Sequence, residues 1–273
     1  DAAVLNYCSA NGLTATDGSD CADVWTGFHQ YVLTNPGTDM NVYLPELEQT
    51  VTLSAAALNY PMVDRTYDAW VLQIEKPYDG DWGFKASYTW SQTKGNYEGT
   101  VKSDNGQDDA GITQDFDQPG LTDGSYGYLP NHREHLVKAF GTVKLTDTLT
   151  GGMALKIESP RLFGCIGEHP TDEFAMAYGD SSWYCAGKLT PRASQAKSDW
   201  IQTVDAMLMW QPNTRAGNVT IKFDVFNVFD SSNVIDINEY GESGGPANPN
   251  PNYQKATNYQ LGRRARIGFE WKF

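Results

Sequence analysis

The end of the chain is the feature that most constrains its fold. Residues 258–273 read NYQLGRRARIGFEWKF, and from Ala265 onward apolar and polar side chains alternate. A period of two predicts a β-strand with one apolar and one polar face. Such a strand, ending on the aromatic Phe273, is typical of a barrel wall whose apolar face meets lipid and whose last aromatic lies at the interface. An ordinary strand of a soluble β-sandwich is the alternative.

The same alternation recurs in residues 67–76, 82–91, 135–145, 149–157, 198–211 and 218–230, which makes seven strands. Their connections alternate between short turns (77–81, 146–148, 212–217) and long loops (95–131, 159–197, 231–257). This regularity is typical of up-and-down outer-membrane barrels, which have short periplasmic turns and long external loops. Sandwiches and Greek keys do not usually show it. The fold class predicted is therefore all-β, a transmembrane antiparallel barrel whose last strand runs down to the periplasm.

The two strand faces differ in a way that fits a membrane wall around a wet interior. The polar faces carry Lys, Asp, Thr and Arg, whereas the apolar faces end in aromatic residues that predict a membrane girdle. Its predicted members are Trp70, Trp90, Trp200, Trp210, Trp271 and Phe273.

Strand number and domain organisation indicate that this chain is part of something larger. Seven is an odd number, and bacterial single-chain barrels have even numbers. We therefore expect the C-terminal portion of a larger barrel. Residues 67–273 supply its strands, and residues 1–66 form an external region that is partly β. Within that region, extended pieces are expected at 40–44 and 49–58, and a weak helical pattern covers 21–33.

Composition narrows the class further. No run of about 18 apolar residues occurs, so no transmembrane helix is predicted. A mean hydropathy of -0.50 is compatible with a barrel, because only alternate strand residues face lipid. A net charge of -14 argues against nucleic acid as a partner. The chain begins at Asp1 without a signal peptide, which we expect to have been removed or to lie in a missing N-terminus.

The four cysteines form two local pairs, Cys8 with Cys21 and Cys165 with Cys185. Their even number and close spacing in loops predict two disulfides and an oxidising compartment. Metal binding is the alternative, but no CxxC occurs.

No catalytic constellation stands out, so we expect no enzyme, no cofactor and no resident metal. For the histidines His132 and His135, at a strand entry, a structural role is favoured over lining the barrel mouth. The loop acids Asp104, Asp108 and Asp109 suit calcium chemically, but a solvated acidic loop is favoured. Loop aromatics are the better ligand candidates, although for any single one of them packing of the loops against one another is favoured. They are Tyr126, Tyr128, Tyr178, Trp183, Tyr184 and Tyr240, with Phe163 and Tyr253 as further members.

Several stretches resemble one family, the TonB-dependent outer-membrane receptors, and within it the Oar-like branch. FDVFNVFD at 223–230 resembles the penultimate-strand motif, and RIGFEWKF resembles the final strand that the insertion machinery reads. SYTWSQTKGNYEGTVKSDNGQDD, FDQPG and YLPNHREHLVKAFGTVKL, in this order, resemble the Oar-like branch. The resemblance covers residues 35–273, and the ordered set is more specific than FDVFNVFD alone.

The resemblance implies a barrel of about 22 strands, plugged by an N-terminal domain that is absent from this chain. It implies active uptake of a scarce ligand (an oligosaccharide, a peptide or a metal chelate) across the bacterial outer membrane. The implied partners are outer-membrane lipid, the TonB complex acting through the plug, the barrel assembly machinery and an unidentified small ligand. A passive porin and a barrel-anchored surface binding or adhesion protein are the alternatives.

Overall fold

The structure is a computed structural model that describes residues 2–13, 35–44, 48–111, 113–214, 217–246 and 248–272. The expected helical pattern at 21–33, Cys21 and Phe273 lie outside the described residues.

Seven long strands form one antiparallel sheet with a simple up-and-down order. They are β3 (Arg65–Lys76), β4 (Trp82–Gly95), β6 (His135–Lys144), β7 (Leu149–Glu158), β12 (Ile201–Trp210), β13 (Asn218–Phe226) and β16 (Arg264–Lys272). Each pairs with its neighbour in the order β16-β13-β12-β7-β6-β4-β3, and the short β5 (Gly127–Tyr128) adds to β4. The sheet does not close, since β3 and β16 form its two edges.

The remaining elements are short. Before the sheet lie α1 (Ala2–Asn11), β1 (Met40–Leu44), β2 (Gln49–Leu53) and α2 (Ala55–Leu58). The loops contain 3₁₀ turns at Ser103–Asn105 and Pro119–Thr122 and the helix α3 (Glu173–Met176). They also contain β8 (Leu162–Phe163), β9 (Tyr184–Cys185), β10 (Lys188–Leu189), β11 (Ala196–Lys197), β14 (Val234–Ile237) and β15 (Ala256–Tyr259).

The strand registers place most of the apolar side chains of the seven strands on one face of the sheet. The exceptions on the other face include Val71, Phe140, Met207 and Met209. Directly opposed residues of an antiparallel pair share a face. One such row runs Leu72, Tyr88, Val137 and Ile157, and another joins Leu208, Phe223 and Ile267. We call this side the apolar face. A slip of one residue at any pairing would mix the two faces, so the registers and the alternation in the sequence support each other.

The opposite side, which we call the polar face, carries most of the charged strand residues. Its basic residues are Arg65, Lys85, Lys138, Lys144, Lys156, Lys222, Arg264, Arg266 and Lys272. Its acidic residues are Glu75, Glu158, Asp205, Asp224 and Glu270. Basic side chains therefore outnumber acidic ones on this face, although the whole chain carries a net charge of -14.

Burial is distributed in the reverse of the way expected for a soluble sheet. Large apolar strand residues such as Leu72, Ile267 and Phe269 are exposed, whereas the main buried side chains lie in the loops and in the N-terminal region. Cys8, Val42, Val51, Leu53 and Leu58 form a small core of that region. A sheet that leaves its apolar face uncovered needs an apolar surrounding, and lipid supplies one.

The predicted girdle residues lie near the two ends of the apolar face. Trp70 pairs with Trp90 near the long loops, and Trp210 and Trp271 lie near the turn at 211–217. The 10-residue β12, which Trp200 precedes and Trp210 ends, is about 33 Å long at ~3.3 Å per residue and spans about 25 Å when tilted by ~40°. This matches the apolar band of outer-membrane barrels, but the assignment of these side chains to a girdle stays a prediction.

The predicted fold class is confirmed. Seven antiparallel strands in up-and-down order form an open wall. In the N-terminal region, the predicted piece at 40–44 coincides with β1, whereas the one at 49–58 is wrong in its second half. There Ser54 caps α2 by accepting a hydrogen bond from the Ala57 amide, and the following alanines favour a helix over a strand.

None of the helices in the described part of the chain has the length and apolarity needed to cross a bilayer. The domain boundary predicted at residue 66 stays a prediction, and β3 begins one residue before it, at Arg65.

Candidate functional site: the external loop cap

Three long loops at one end of the sheet fold together into a single packed unit. Loop A (96–134) joins β4 to β6, loop B (159–200) joins β7 to β12, and loop C (227–263) joins β13 to β16. Backbone bridges connect them: Ile166 of loop B pairs with Tyr240 of loop C, and the Arg192 amide donates to the Gly124 carbonyl of loop A. We call this unit the loop cap.

Trp183 of loop B is the centre of the cap. Its side chain is 0% exposed, and two cations flank its ring: Lys102 Nζ lies 5.5 Å and Arg192 Cζ 4.8 Å from the ring centroid. Gly164 packs so closely that a Cβ there would lie 2.6 Å from Trp183 Cζ3. Cation–π contacts gain strength when they are removed from water, so the ring and the two cations fix one another.

A buried charge cluster surrounds this tryptophan and joins all three loops. Within loop A, Lys102 Nζ lies 3.0 Å from Asp115 Oδ1. Arg192 of loop B lies 3.5 Å from Asp104 Oδ2 and 3.7 Å from Asp115 Oδ2. Removing Lys102 or Arg192 would leave buried carboxylates without their counter-charge, which is strongly destabilising.

The second half of the cluster is centred on Arg161. Its guanidinium contacts Asp236 Oδ1 at 2.7 Å and Glu239 Oε1 at 2.9 Å, both in loop C, and it stacks 4.7 Å from the centroid of Phe163. The Gly164 amide donates a hydrogen bond of 2.7 Å to Glu239 Oε2. Loops B and C are therefore joined by charge, by stacking and by the backbone.

The cluster contains more acids than bases. Burial, followed by repulsion from Asp104, raises the pKa of the Glu239 carboxyl to about 8. Burial also raises the pKa of Asp104 above its ordinary value. A proton on one of these carboxyls brings the cluster to neutrality. The acids are Asp104, Asp115, Asp236 and Glu239, and the bases are Lys102, Arg161 and Arg192.

A disulfide supports the junction of loops B and C. Cys165 and Cys185 are bonded, which confirms that predicted pair. Gly241 of loop C lies against the bridge, where a Cβ would come within 2.5 Å of Cys185 Sγ. The carboxylate of Glu242 accepts hydrogen bonds from the amides of Glu168 and Ala186. The predicted pair of Cys8 with Cys21 stays a prediction, because Cys21 lies outside the described residues.

One polar cluster of the cap reaches the surface. His169 Nδ1 accepts hydrogen bonds from the amides of Thr171 and Asp172, so the ring proton is on Nε2. Nε2 in turn donates to Asp123 Oδ2 at 3.3 Å, to which the Tyr184 hydroxyl also donates at 3.2 Å. Burial and the Asp123 carboxylate raise the pKa of Tyr184, which keeps this phenol a donor at neutral pH.

The structure separates the predicted ligand aromatics into three groups. Trp183 is fully buried within the cap. Tyr126 is 52% exposed, and Tyr178, Tyr184 and Tyr240 are half-buried. Tyr128 lies next to the sheet, where it pairs with Lys94 of β4. The centroid of its ring is 4.3 Å from that of the His132 ring and 4.8 Å from Lys94 Nζ. A role of these residues in ligand binding stays a prediction.

The strand-entry histidines make contacts within the protein. His132 is buried, and its Nδ1 accepts from the Thr93 amide at 3.3 Å. His135 Nδ1 lies 2.9 Å from the Tyr88 hydroxyl, and its ring stacks 6.1 Å from that of Trp200. Of the three loop acids considered for calcium, Asp104 is paired with Arg192, whose guanidinium lies 3.5 Å from its Oδ2. The described residues contain no cluster of three or more His, Cys, Asp or Glu suited to a metal ion.

Sequence reasoning missed the charge cluster. Its paired members are far apart in the chain, 78 positions in the case of Arg161 and Glu239, so no local spacing connects them. The only local signal is the presence of single basic residues in loops rich in Asp and Glu.

Comparisons with known proteins agree with the resemblance stated above. No family model matches the chain. A curated relative, the TonB-dependent transporter Oar of Myxococcus xanthus, is 28% identical over 193 residues, which covers 68% of this chain. The chain spans only 17% of the length of that relative. The predicted resemblance to an Oar-like TonB-dependent receptor is thus confirmed.

Solved structures similar to this chain include one outer-membrane transporter and two proteins that bind or import iron chelates. The outer-membrane transporter YddB of Escherichia coli is 16% identical. The match covers 86% of this chain and 28% of YddB, with a TM-score of 0.47. FpvA of P. aeruginosa, solved with a ferric pyoverdine, is 14% identical. The match covers 78% of this chain and 20% of FpvA, with a TM-score of 0.45. The ferric-catecholate import receptor Fiu of E. coli K12 is 13% identical. The match covers 76% of this chain and 21% of Fiu, with a TM-score of 0.42. At these scores the structures say nothing about a ligand for this chain.

Proposed function

We propose that this chain is the C-terminal wall and external cap of a TonB-dependent outer-membrane transporter that takes up a scarce ligand. The observation that carries the proposal is the similarity to the transporter Oar over 68% of the chain. The uncovered apolar face and the charged polar face of the sheet support a wall between lipid and a wet lumen.

The two free edges of the sheet give this wall its place in the whole molecule. The strands β3 and β16 each have one partner among the described strands, so their other sides carry unpaired backbone groups. Such edges must be paired inside a bilayer, because no water is present to bond them. Barrel strands outside this chain therefore pair with both edges, and outer-membrane lipid covers the apolar face between them.

The loop cap supplies the surface that captures the ligand. Its buried charge cluster and its disulfide hold the three loops in one arrangement, and a preorganised surface loses less entropy on binding. The accessible aromatics Tyr126 and Tyr184, with Asp123 beside Tyr184, offer stacking faces and an acceptor for hydroxyl groups. Such a surface suits an oligosaccharide, a peptide or a metal chelate.

Dependence on the TonB complex distinguishes this function from a passive porin and from a barrel-anchored surface binding or adhesion protein. We expect the plug and the motif that contacts the TonB complex in the receptor sequence outside this chain. The assay follows the depletion of compounds from a defined medium by mass spectrometry, in wild-type cells, in a receptor deletion and in a deletion of the coupling protein.

A transporter predicts that one compound stays undepleted in both deletions. A passive porin predicts depletion that needs the receptor and not the coupling protein. An adhesion or surface binding protein predicts no change in depletion in either strain. Re-expression of the receptor in its deletion strain is the control, and it must restore depletion.

A further inference from the structure

Lys102 and Asp115 of loop A form the most deeply buried contact between a lysine and a carboxylate in the described part of the chain. Lys102 is the only buried lysine there, and the side chains of both residues are 2% exposed. Lys102 Nζ lies 3.0 Å from Asp115 Oδ1. The other lysine–carboxylate pairs, such as Lys85 with Glu75, have side chains that are open to solvent.

This contact is short, yet it lacks the angles of a hydrogen bond. Within the described residues, neither carboxylate oxygen of Asp115 accepts a hydrogen bond. Lys102 Nζ donates instead to the Ser181 carbonyl, at a long distance of 3.4 Å. Burial of two charges is costly, and their attraction offsets that cost only when the remaining hydrogen bonds are also made. An amide between the two groups removes both charges.

The surroundings of the pair favour the neutral forms of an amine and a carboxyl group. The centroid of the buried Trp183 ring is 5.5 Å from Lys102 Nζ, and burial disfavours the charged form of both groups. Arg192 Nη2 lies 3.7 Å from Asp115 Oδ2, and no guanidinium nitrogen of Arg192 has a hydrogen-bond acceptor among the described residues. Arg192 is therefore free to stabilise the negative charge that develops on the carboxyl oxygen when an amine attacks its carbon.

Asp104 is a second carboxyl group beside the pair, and it can carry protons. Its Oδ2 lies 3.5 Å from the same Nη2 of Arg192 that faces Asp115, so one nitrogen lies between the two carboxyl groups. Burial raises the pKa of Asp104, which therefore binds a proton at a higher pH than an exposed aspartate does.

We propose that Lys102 and Asp115 condense to an intramolecular isopeptide bond, which closes loop A covalently at the centre of the cap. The Lys102 nitrogen bonds to Asp115 Cγ, and one carboxyl oxygen of Asp115 leaves. Two of the three ammonium protons leave with that oxygen as water, and the third stays on the amide nitrogen, so atoms and charge balance. Asp104 takes a proton from the ammonium group and returns it to the leaving oxygen. The fixed contact supplies the high effective concentration that this reaction needs.

The bond gives the cap a second covalent link, in loop A, beside the disulfide of loop B. It removes one base and one acid from the charge cluster, so the balance of the remaining groups is unchanged. The inference concerns the cap alone and goes beyond the proposed transport. Its test needs no ligand, so a failure of either proposal leaves the other intact.

Mass spectrometry of the full-length receptor, purified from outer membranes and denatured before digestion, tests for the bond. An amide at Lys102 blocks trypsin there, so one peptide should cover residues 95–133 and be lighter by one water. Without the amide, trypsin gives peptides 95–102 and 103–133 at their full masses. A second protease that cleaves before aspartate then cuts between Lys102 and Asp115. The two chains that result stay joined only if these residues are linked.

Two variants separate the reaction from simple pairing. Lys102→Arg keeps a cation beside Asp115 but forms no amide, so trypsin should cleave after position 102. Asp104→Asn keeps the size of the side chain but removes the proton carrier, and pulse-chase labelling should show the amide forming about a hundred-fold more slowly. Asp108→Asn, at an exposed residue of the same loop, is the matched control and should not change the rate. Protection of the buried Arg192 from trypsin in the folded receptor reports that each variant keeps its cap.

The exposed pair of Lys85 and Glu75 is the internal control, and trypsin should cleave after Lys85 in every sample. Complete cleavage after Lys102 in the wild type, with both peptides at full mass, would overturn the inference and leave an ordinary buried ion pair. A loss of water at any other position would overturn it as well. An unchanged rate in Asp104→Asn with a protected cap would overturn the role of that carboxyl group.

Discussion

Replacing Trp183 tests whether the cap depends on its buried centre. Trp183→Ala removes a side chain that is 0% exposed, and truncations of this kind cost about 3–5 kcal/mol. The flanking Lys102 and Arg192 also lose their ring contacts, each worth about 0.5–2 kcal/mol. A loss of about 4 kcal/mol corresponds to about a thousand-fold more frequent opening of the cap.

Hydrogen exchange of the full-length receptor in lipid nanodiscs measures this opening segment by segment. Amides of loops A and B that are hydrogen-bonded within the cap, such as those of Lys102, Gly167 and Arg192, should exchange faster in Trp183→Ala. The strands β6, β7 and β12 should keep their protection, because their hydrogen bonds lie in the wall. Tyr126→Ala is the matched control, since that loop aromatic is 52% exposed and its removal leaves no cavity.

The reasoning is refuted if loop exchange in Trp183→Ala equals that of Tyr126→Ala. Faster exchange in the strands as well as the loops would show instead that cap and wall open as one unit.

Three further predictions concern the cap and the wall. Because burial raises the pKa of the Glu239 carboxyl to about 8, the contribution of this group to cap stability is full below pH ~4.5 and is lost as the pH rises toward 8; trypsin cleavage of loop C, taken relative to Glu239→Gln at each pH from 6 to 8, should therefore increase with pH. The double variant Cys165→Ser/Cys185→Ser should lower cap stability by about 3 kcal/mol, measured by the same cleavage, whereas unchanged cleavage would show that the charge cluster suffices. Val225→Arg, on the apolar face midway along the wall, should destabilise the folded state in bilayers by about 2–4 kcal/mol, whereas Gly268→Arg on the polar face should fold normally, as gel mobility without heating reports.

The wall could be predicted from the sequence because its physics is local. Alternation along one strand decides which side chains share a face, and it holds for all seven strands. Turn residues such as Pro77 and Gly80 separate the strands. The registers follow once each apolar face must join its neighbour's, because a slip of one residue would reverse the faces.

The cap could not be predicted, because its contacts depend on residues far apart in the chain. The sequence shows that Trp183 is an aromatic residue in a loop, and nothing in it distinguishes this residue from the other loop aromatics. Lys102 and Arg192, which bury it, lie in different loops, and only the folded chain brings them together. The short helix α2 is different: Ser54 followed by three alanines is a local helix signal, and the β-alternation before it concealed that signal.

Site-directed spin labelling along β7 tests the central claim, that this sheet is a barrel wall with one face toward lipid. Single labels at each residue from Met153 to Ile157 are placed in the full-length receptor in bilayers, and collisions with oxygen and with a water-soluble nickel chelate are compared. The account predicts oxygen maxima at Met153, Leu155 and Ile157 and nickel maxima at Ala154 and Lys156. Accessibility without a period of two, or with the two faces exchanged, would contradict it.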